Sequence, residues 1–320
     1  MDFTAFRGMK PFAQFMFSLF VMTVSVVVFL LLSLILAIPI FGWSNMMASL
    51  TPSGMNSPEG LILLKYLQVV QSIGLFVFPA LVLGWLFHGN FNEYLQLNRT
   101  SKFSSYLYIG LAGLLLIPLI NYIGEINSHM QFPEFLAGVE DWMRAKEDEA
   151  KMLTEKLIKA EGIPGLLFNV FMIAMLPAIG EELLFRGVIQ RIFTNMTKNY
   201  HWGIWIAAFI FSAIHIQFYG FLPRFILGAM FGYLLVWTGT MWAPILAHFV
   251  NNTMGVVSYY LIDKGTISKD IEQWGTGNEQ FPLVLFSIAC TGILLFLIYR
   301  NSNQTKMPAN HIDSQAPRID

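Results

Sequence analysis

Apolar residues in this chain come in long blocks that neither alternate with polar ones nor thin to a one-sided stripe, and short polar stretches punctuate them. A helix needs about 20 apolar residues to cross a hydrocarbon core of roughly 30 Å, rising about 1.5 Å per residue. Blocks near that length fall at about 13–38, 61–87, 105–124, 164–195, 202–217, 221–238, 241–262 and 281–299. The pattern predicts an all-α fold: a polytopic transmembrane helix bundle of about eight spans. The organisation expected is 1–163 for three spans and a connection, 164–262 for the central spans, 263–301 for a loop and the last span, and 302–320 for a polar, proline-containing tail expected to be disordered. No repeat of fixed period or low-complexity block divides it, so one membrane domain is expected.

The first block is too long, and too continuous, for a cleaved signal peptide and reads as a retained span. The long charged stretch between spans three and four differs in kind. From about 135 to 161 it sets Leu136, Val139, Trp142, Met143, Met152, Leu153, Leu157 and Ile158 among charges. That predicts an amphipathic helix, lying along the outer interface or covering an opening in the bundle.

Short cationic loops stay cytoplasmic. Arg7 and Lys10 precede span one, Arg99 and Lys102 follow span two, Arg191 and Lys198 follow span four, and Arg300 and Lys306 follow span eight. All four places fall on one side. The segment 44–60 on the other side has no Lys or Arg, and in 263–279 acids outnumber bases. Both termini are expected to be cytoplasmic.

Composition agrees. Of 320 residues 55% are hydrophobic and 12% charged, against roughly a quarter charged in a soluble domain. The net charge of −1 comes without a basic patch, so nucleic acid is not an expected partner. Cys290 is alone and sits in an apolar run, where it serves as a small apolar side chain.

Ionisable groups at membrane depth are costly and mark candidate sites. Span four carries Glu181, Glu182 and Arg186, span five His215, and span seven His248, Asn251 and Asn252. Glu182 and Arg186 are four apart and can pair along one helix face. Glu181 points about 100° away from Glu182 and is free to meet another helix. His248 and Asn252 share a face. A Glu and a His can make hydroxide and protonate a leaving amine, which suits peptide hydrolysis, while a second His and an Asn can donate to an oxyanion. Alternatively Glu181, His215 and His248 supply three ligands of an open zinc site, although the HExxH signature is absent. Pro177 frees a backbone carbonyl, Gly228 and Gly232 form a close-packing face, and Arg224 is expected to snorkel.

In that order, Glu181-Glu182-x-x-x-Arg186, Phe211-x-x-x-His215 and His248-x-x-x-Asn252 resemble the motifs of the CAAX protease and bacteriocin-processing family of intramembrane endopeptidases, in its bacterial form. The resemblance covers 164–257. It implies that Glu181 and His215 activate water, that His248 and Asn252 hold the oxyanion, and that Glu182 with Arg186 braces the site, 164–262 being the catalytic core. It also implies a peptide or protein substrate, lipidated or membrane-associated, and a multi-pass protein of the bacterial plasma membrane. The family has been described as metal-independent and as metalloproteases; no cofactor is the favoured expectation, with zinc as the alternative. Two other classes compete with it. They are a catalytically silent immunity or scaffold protein and an ion-coupled transporter, against which stands the lack of an inverted repeat.

Overall fold

The computed structural model describes residues 4–51 and 54–303. Among these residues there is no β-strand, and helices follow one another in the order α1 (Pro11–Phe41), α2 (Pro58–His88), α3 (Phe103–Leu115), α4 (Ile117–Ser128), α5 (Ala137–Ile158), α6 (Gly162–Thr197), α7 (Tyr200–Ala213), α8 (Phe221–Thr238), α9 (Trp242–Asp263) and α10 (Phe281–Asn303). Each predicted block coincides with a helix, the third being the pair α3 and α4, bent by 44° where Pro118 denies the helix one N–H. The tail expected to be disordered lies, from residue 304, outside the described residues.

Five described helical stretches are long and apolar enough to cross a membrane, and six if the bent pair counts as one span. Two of the eight predicted spans fall short of that standard. The polar His248, Asn251, Asn252 and Thr253 reduce the apolarity of α9. The other, α7, has 14 residues, about 21 Å of helix. It stops at Ala213, short of the predicted end at 217, so the chain turns early and carries His215 off the helix. The chain is a multi-pass integral membrane protein.

The bundle exposes many large apolar side chains, and its first helix turns small or polar groups inward. Along α1, Phe20, Leu31, Ile35 and Ile40 face outward while Ser18, Ser25, Ser33 and Ala37 are buried. Lipid gives no hydrophobic drive for helices to associate, so close approach of small residues and internal hydrogen bonds must hold them. Ser25 accordingly donates to the Gly74 carbonyl of α2. The central helix is α6, packed between α2, α7 and α9, with α8 joining α7 to α9. Ala80, Leu83, Leu184, Val188, Phe211 and Met241 belong to the core around it.

The amphipathic helix predicted between spans three and four is α5. It covers one end of the bundle and is tied down along its length. Trp142 packs on Phe218 with ring centroids 5.3 Å apart, the Glu147 carboxylate accepts the Tyr219 N–H at 3.1 Å, and Lys156 reaches Asn56 Oδ1 at 2.7 Å. At its exit Lys65 of α2 donates to the Lys159 carbonyl and to Asn169 Oδ1, each at 2.9 Å. Near its start, hydrogen bonds from Arg144 and then from the Phe132 N–H hold the partly buried Glu140 carboxyl below the usual range; these contacts weaken as pH falls through that lowered value.

Packing at Gly232 gives a direct test. A Cβ there would stand 2.6 Å from Gln190 Oε1 and 2.9 Å from Ile204 Cγ2, whereas one at Gly292 of α10 would meet nothing within 4 Å. Gly232→Ala is expected to destabilise the detergent-solubilised protein by about 1–3 kcal/mol through overpacking. Gly292→Ala should leave its thermal unfolding midpoint unchanged or slightly raised.

Candidate active site

The acidic pair sits on a helix that is irregular on both sides of it. In α6, the α-helical turns Leu176–Leu184 lie between two π-helical stretches, Val170–Met175 and Phe185–Ile189. Wider turns of this kind accompany breaks in the i to i−4 ladder. Pro177 is one such break, because it has no N–H for the Ile173 carbonyl to accept. A side chain supplies the missing donor: Asn252 Nδ2 of α9 reaches Ile173 O at 3.3 Å.

Glu182 is the hub. Its Oε1 accepts from Arg186 Nη1 at 2.9 Å and from His248 Nδ1 at 2.8 Å, and the residue has 0% exposure, against 2% for Arg186 and 4% for His248. A carboxylate only accepts, so His248 donates through Nδ1 and Nε2 is the nitrogen left for chemistry. That nitrogen lies 3.9 Å from Glu181 Oε2, too far for a hydrogen bond. Glu181, 9% exposed, makes no closer ion pair among the described residues. Adjacent acids thus do different things because they leave the helix about 100° apart.

Arg186 is held on several sides. Nη2 donates to the Gly228 carbonyl of α8 at 3.0 Å, and the guanidinium lies over the rings of Phe211 at 4.5 Å and Phe231 at 5.4 Å. One turn on, Gln190 Nε2 reaches the Gly232 carbonyl at 3.3 Å. Two polar side chains four apart on α6 therefore meet two glycine carbonyls four apart on α8. The glycine pair is the expected packing face, and it also exposes backbone acceptors that a larger residue would shield. A Cβ at Gly228 would come within 3.1 Å of Arg186 Nη2.

His215 approaches from the turn that follows α7. Its Nδ1 pairs with the Phe211 carbonyl at 2.7 Å, which leaves Nε2 as the free nitrogen. The Phe211 ring is edge-on to both histidines, with centroids 5.1 Å from His215 and 6.0 Å from His248, so both imidazoles meet one phenyl group. Phe231 stacks on His248 at 5.1 Å.

Glu181, Glu182, Arg186 and His248 are therefore gathered by direct contacts, Asn252 reaches α6 through a backbone carbonyl, and His215 adjoins the group through Phe211. Asn251 donates to Asn252 Oδ1 at 3.2 Å. Gln190 and Phe231 went unread as site residues; the i, i+4, i+8 series Glu182, Arg186, Gln190 was the available signal for the first, whereas nothing local marks the second. Arg224, expected to snorkel, is bound within the protein: its Nη1 donates to Gln217 Oε1 at 2.8 Å and its Nη2 to the Gln217 carbonyl. The chain reverses between α7 and α8, and puts acceptors beside the guanidinium that bulk water would otherwise supply. Among the described residues no three His, Cys, Asp or Glu side chains stand close enough to hold a metal ion. As placed, Glu181, His215 and His248 are not a ligand set.

The fold and this buried cluster define a helical membrane protein with an internal polar site. Residues 163–254 match the family model described as Type II CAAX prenyl endopeptidase Rce1-like, and the resemblance read from the three ordered motifs is borne out over that segment. Two curated relatives are similar to the chain. One is the uncharacterized protein YpbD of Bacillus subtilis, 32% identical over 31% of this chain and 47% of its own length. The other is an uncharacterized 24.3 kDa protein of Escherichia coli, 28% identical over 34% of this chain and 52% of its own. The chain thus spans about half the length of these relatives. No solved structure matches it.

Removing one partner of a buried ion pair leaves the other charge uncompensated. Arg186→Leu is expected to lower stability by about 3–5 kcal/mol, read from chemical unfolding in micelles. Adding Glu182→Gln to it should recover part of the loss, since the stranded carboxylate is then gone.

Proposed function

We propose that the chain is an intramembrane endopeptidase resembling the CAAX prenyl proteases, with Glu181 and His215 activating a water molecule. The observation that supports this most directly is the Glu182 hub. By anchoring His248 Nδ1 and Arg186, it leaves a carboxylate, Glu181, beside an imidazole nitrogen, His248 Nε2, in a buried site.

In this reading Glu181 takes a proton from water as its oxygen bonds to the scissile carbonyl carbon. His248, when both of its ring nitrogens carry a proton, donates through Nε2, and Asn252 donates beside it, to the oxyanion that forms. Asn252 has two N–H groups and uses one on Ile173, so the second is the one assigned to substrate. When the tetrahedral intermediate collapses, the C–N bond breaks and the leaving amine receives the proton, with His215 Nε2 as relay. Acid–base catalysis of this kind contributes about 10²–10⁴-fold, and one oxyanion donor about 2.7–4 kcal/mol. Glu182 and Arg186 brace these groups. No step is routed through a metal.

The substrate proposed is a peptide or protein that is membrane-associated or lipidated. The location proposed is the bacterial plasma membrane, with both termini cytoplasmic, as the placement of lysine and arginine supports.

The test is cleavage of a quenched fluorescent peptide library, with and without C-terminal prenylation, by purified wild-type, Glu181→Gln and His215→Ala proteins, each with and without a chelator. Wild type should cleave in the presence of chelator, and both variants should lose about 10²–10⁴-fold in kcat while remaining folded. Equal cleavage by wild type and Glu181→Gln would remove the assigned site. Loss with chelator and recovery with zinc would replace the metal-independent mechanism. Indifference of the cellular phenotype to Glu181→Gln would favour a silent scaffold.

A further inference from the structure

The chain between α7 and α8 is a short turn held in a conformation its sequence disfavours. Ile216, the residue after His215, has φ of +53°. That is left-handed backbone, costly for a β-branched side chain and retained only where the surroundings impose it. Several groups impose it here. Ser212 Oγ donates to the Phe221 carbonyl at 2.7 Å and closes the turn at its base. Asn127 of α4, almost wholly buried, donates to the Phe218 carbonyl at 3.0 Å and accepts the Leu222 N–H at 2.8 Å.

Those bonds hold the far half of the turn. Next to Ile216 itself the restraint comes from Arg224, which grips both the side-chain oxygen and the backbone carbonyl of Gln217. Gly220 makes this grip sterically possible, since a Cβ there would lie 2.9 Å from Nη1 and 3.0 Å from Nη2. His215 is therefore fixed on one side by Phe211 at the end of α7. On the other it is fixed by a strained residue whose neighbour is clamped.

We infer that Arg224 is a positioning residue for His215, acting through Gln217 to keep the turn at Ile216 left-handed and the imidazole in place against Phe211. The inference rests on the reading that His215 takes part in water activation. Without the clamp Ile216 relaxes toward right-handed or extended backbone, and His215 moves with it. Arg224 touches no reacting atom in this account, so its loss acts on turnover and not on substrate affinity. A glycine at 216 adopts positive φ without penalty and needs the clamp less.

The experiment uses the full chain in detergent micelles with ¹³C-labelled histidine, the His215 resonance being assigned by its absence in His215→Gln. Arg224→Gln should shift or broaden the His215 signal and leave that of His248 in place. Arg224→Lys, which keeps the charge but not the two-pronged geometry, should fall between. On a peptide that wild type cleaves, Arg224→Gln should lower kcat about 10- to 100-fold, as expected for a displaced catalytic group, with KM within about twofold. Ile216→Gly added to Arg224→Gln should restore several-fold of the kcat and sharpen the His215 signal. An unmoved His215 resonance in Arg224→Gln overturns the inference, as does a rise in KM with kcat intact, which would make Arg224 a substrate-binding group. If wild type cleaves no peptide the proposed function fails, and the His215 resonance still decides the positioning role. Should Arg224→Gln not fold, Arg224→Lys with and without Ile216→Gly gives the same comparison.

Discussion

A carboxylate with no exposure to solvent governs this structure. Glu182 can remain ionised inside the bundle only with charge and hydrogen bonds around it, and it obtains them from Arg186 one turn along its own helix and from His248 on α9. Arg186 in turn needs acceptors and finds the Gly228 carbonyl on α8. One buried charge thereby fixes the relation of α6, α8 and α9. Apolar attraction has no preferred direction, so the ion pair and its hydrogen bonds add an orientation to the close packing around them.

The same helix shows how a membrane bundle satisfies its backbone. Hydrocarbon offers no partner for an orphaned carbonyl, yet α6 contains Pro177 in its interior and two π-helical stretches. Asn252 provides for Ile173, while Arg186 and Gln190 add second donors to glycine carbonyls on α8. Side chains that look catalytic in sequence also hold the helices together. Irregularity flanks the polar cluster: the regular turns carry Glu181 and Glu182, and Arg186 lies in the second π-helical stretch.

A related economy operates at the end of the bundle beneath α5. There α7 stops short, and the following turn is held by Asn127 from α4, Glu147 from α5 and Arg224 from α8. Segments far apart in the chain thus meet on a few residues that carry His215. The turn is an irregular backbone surrounded by protein, which is the setting in which membrane proteins tolerate one.

Much of this was legible in the order of residues. Eight apolar blocks were found as helices, since the bilayer demands a run of about 20 apolar residues wherever a chain crosses it and no local competitor produces such runs. The amphipathic α5 was legible from its charges, and the Glu182–Arg186 pair from spacing alone, because i to i+4 geometry is local. What lay beyond the sequence is whatever depends on two segments meeting. The early stop of α7, the left-handed Ile216 and the fold-back of Arg224 onto Gln217 contradicted or escaped local reading, for the turn that joins them is held by Asn127 and Glu147 from distant parts of the chain. The assignment of His248 to Glu182, and of Asn252 to the carbonyl freed by Pro177, follows from the rotation of α9 against α6. Periodicity specifies which face of a helix is polar; only packing decides which polar group stands opposite it.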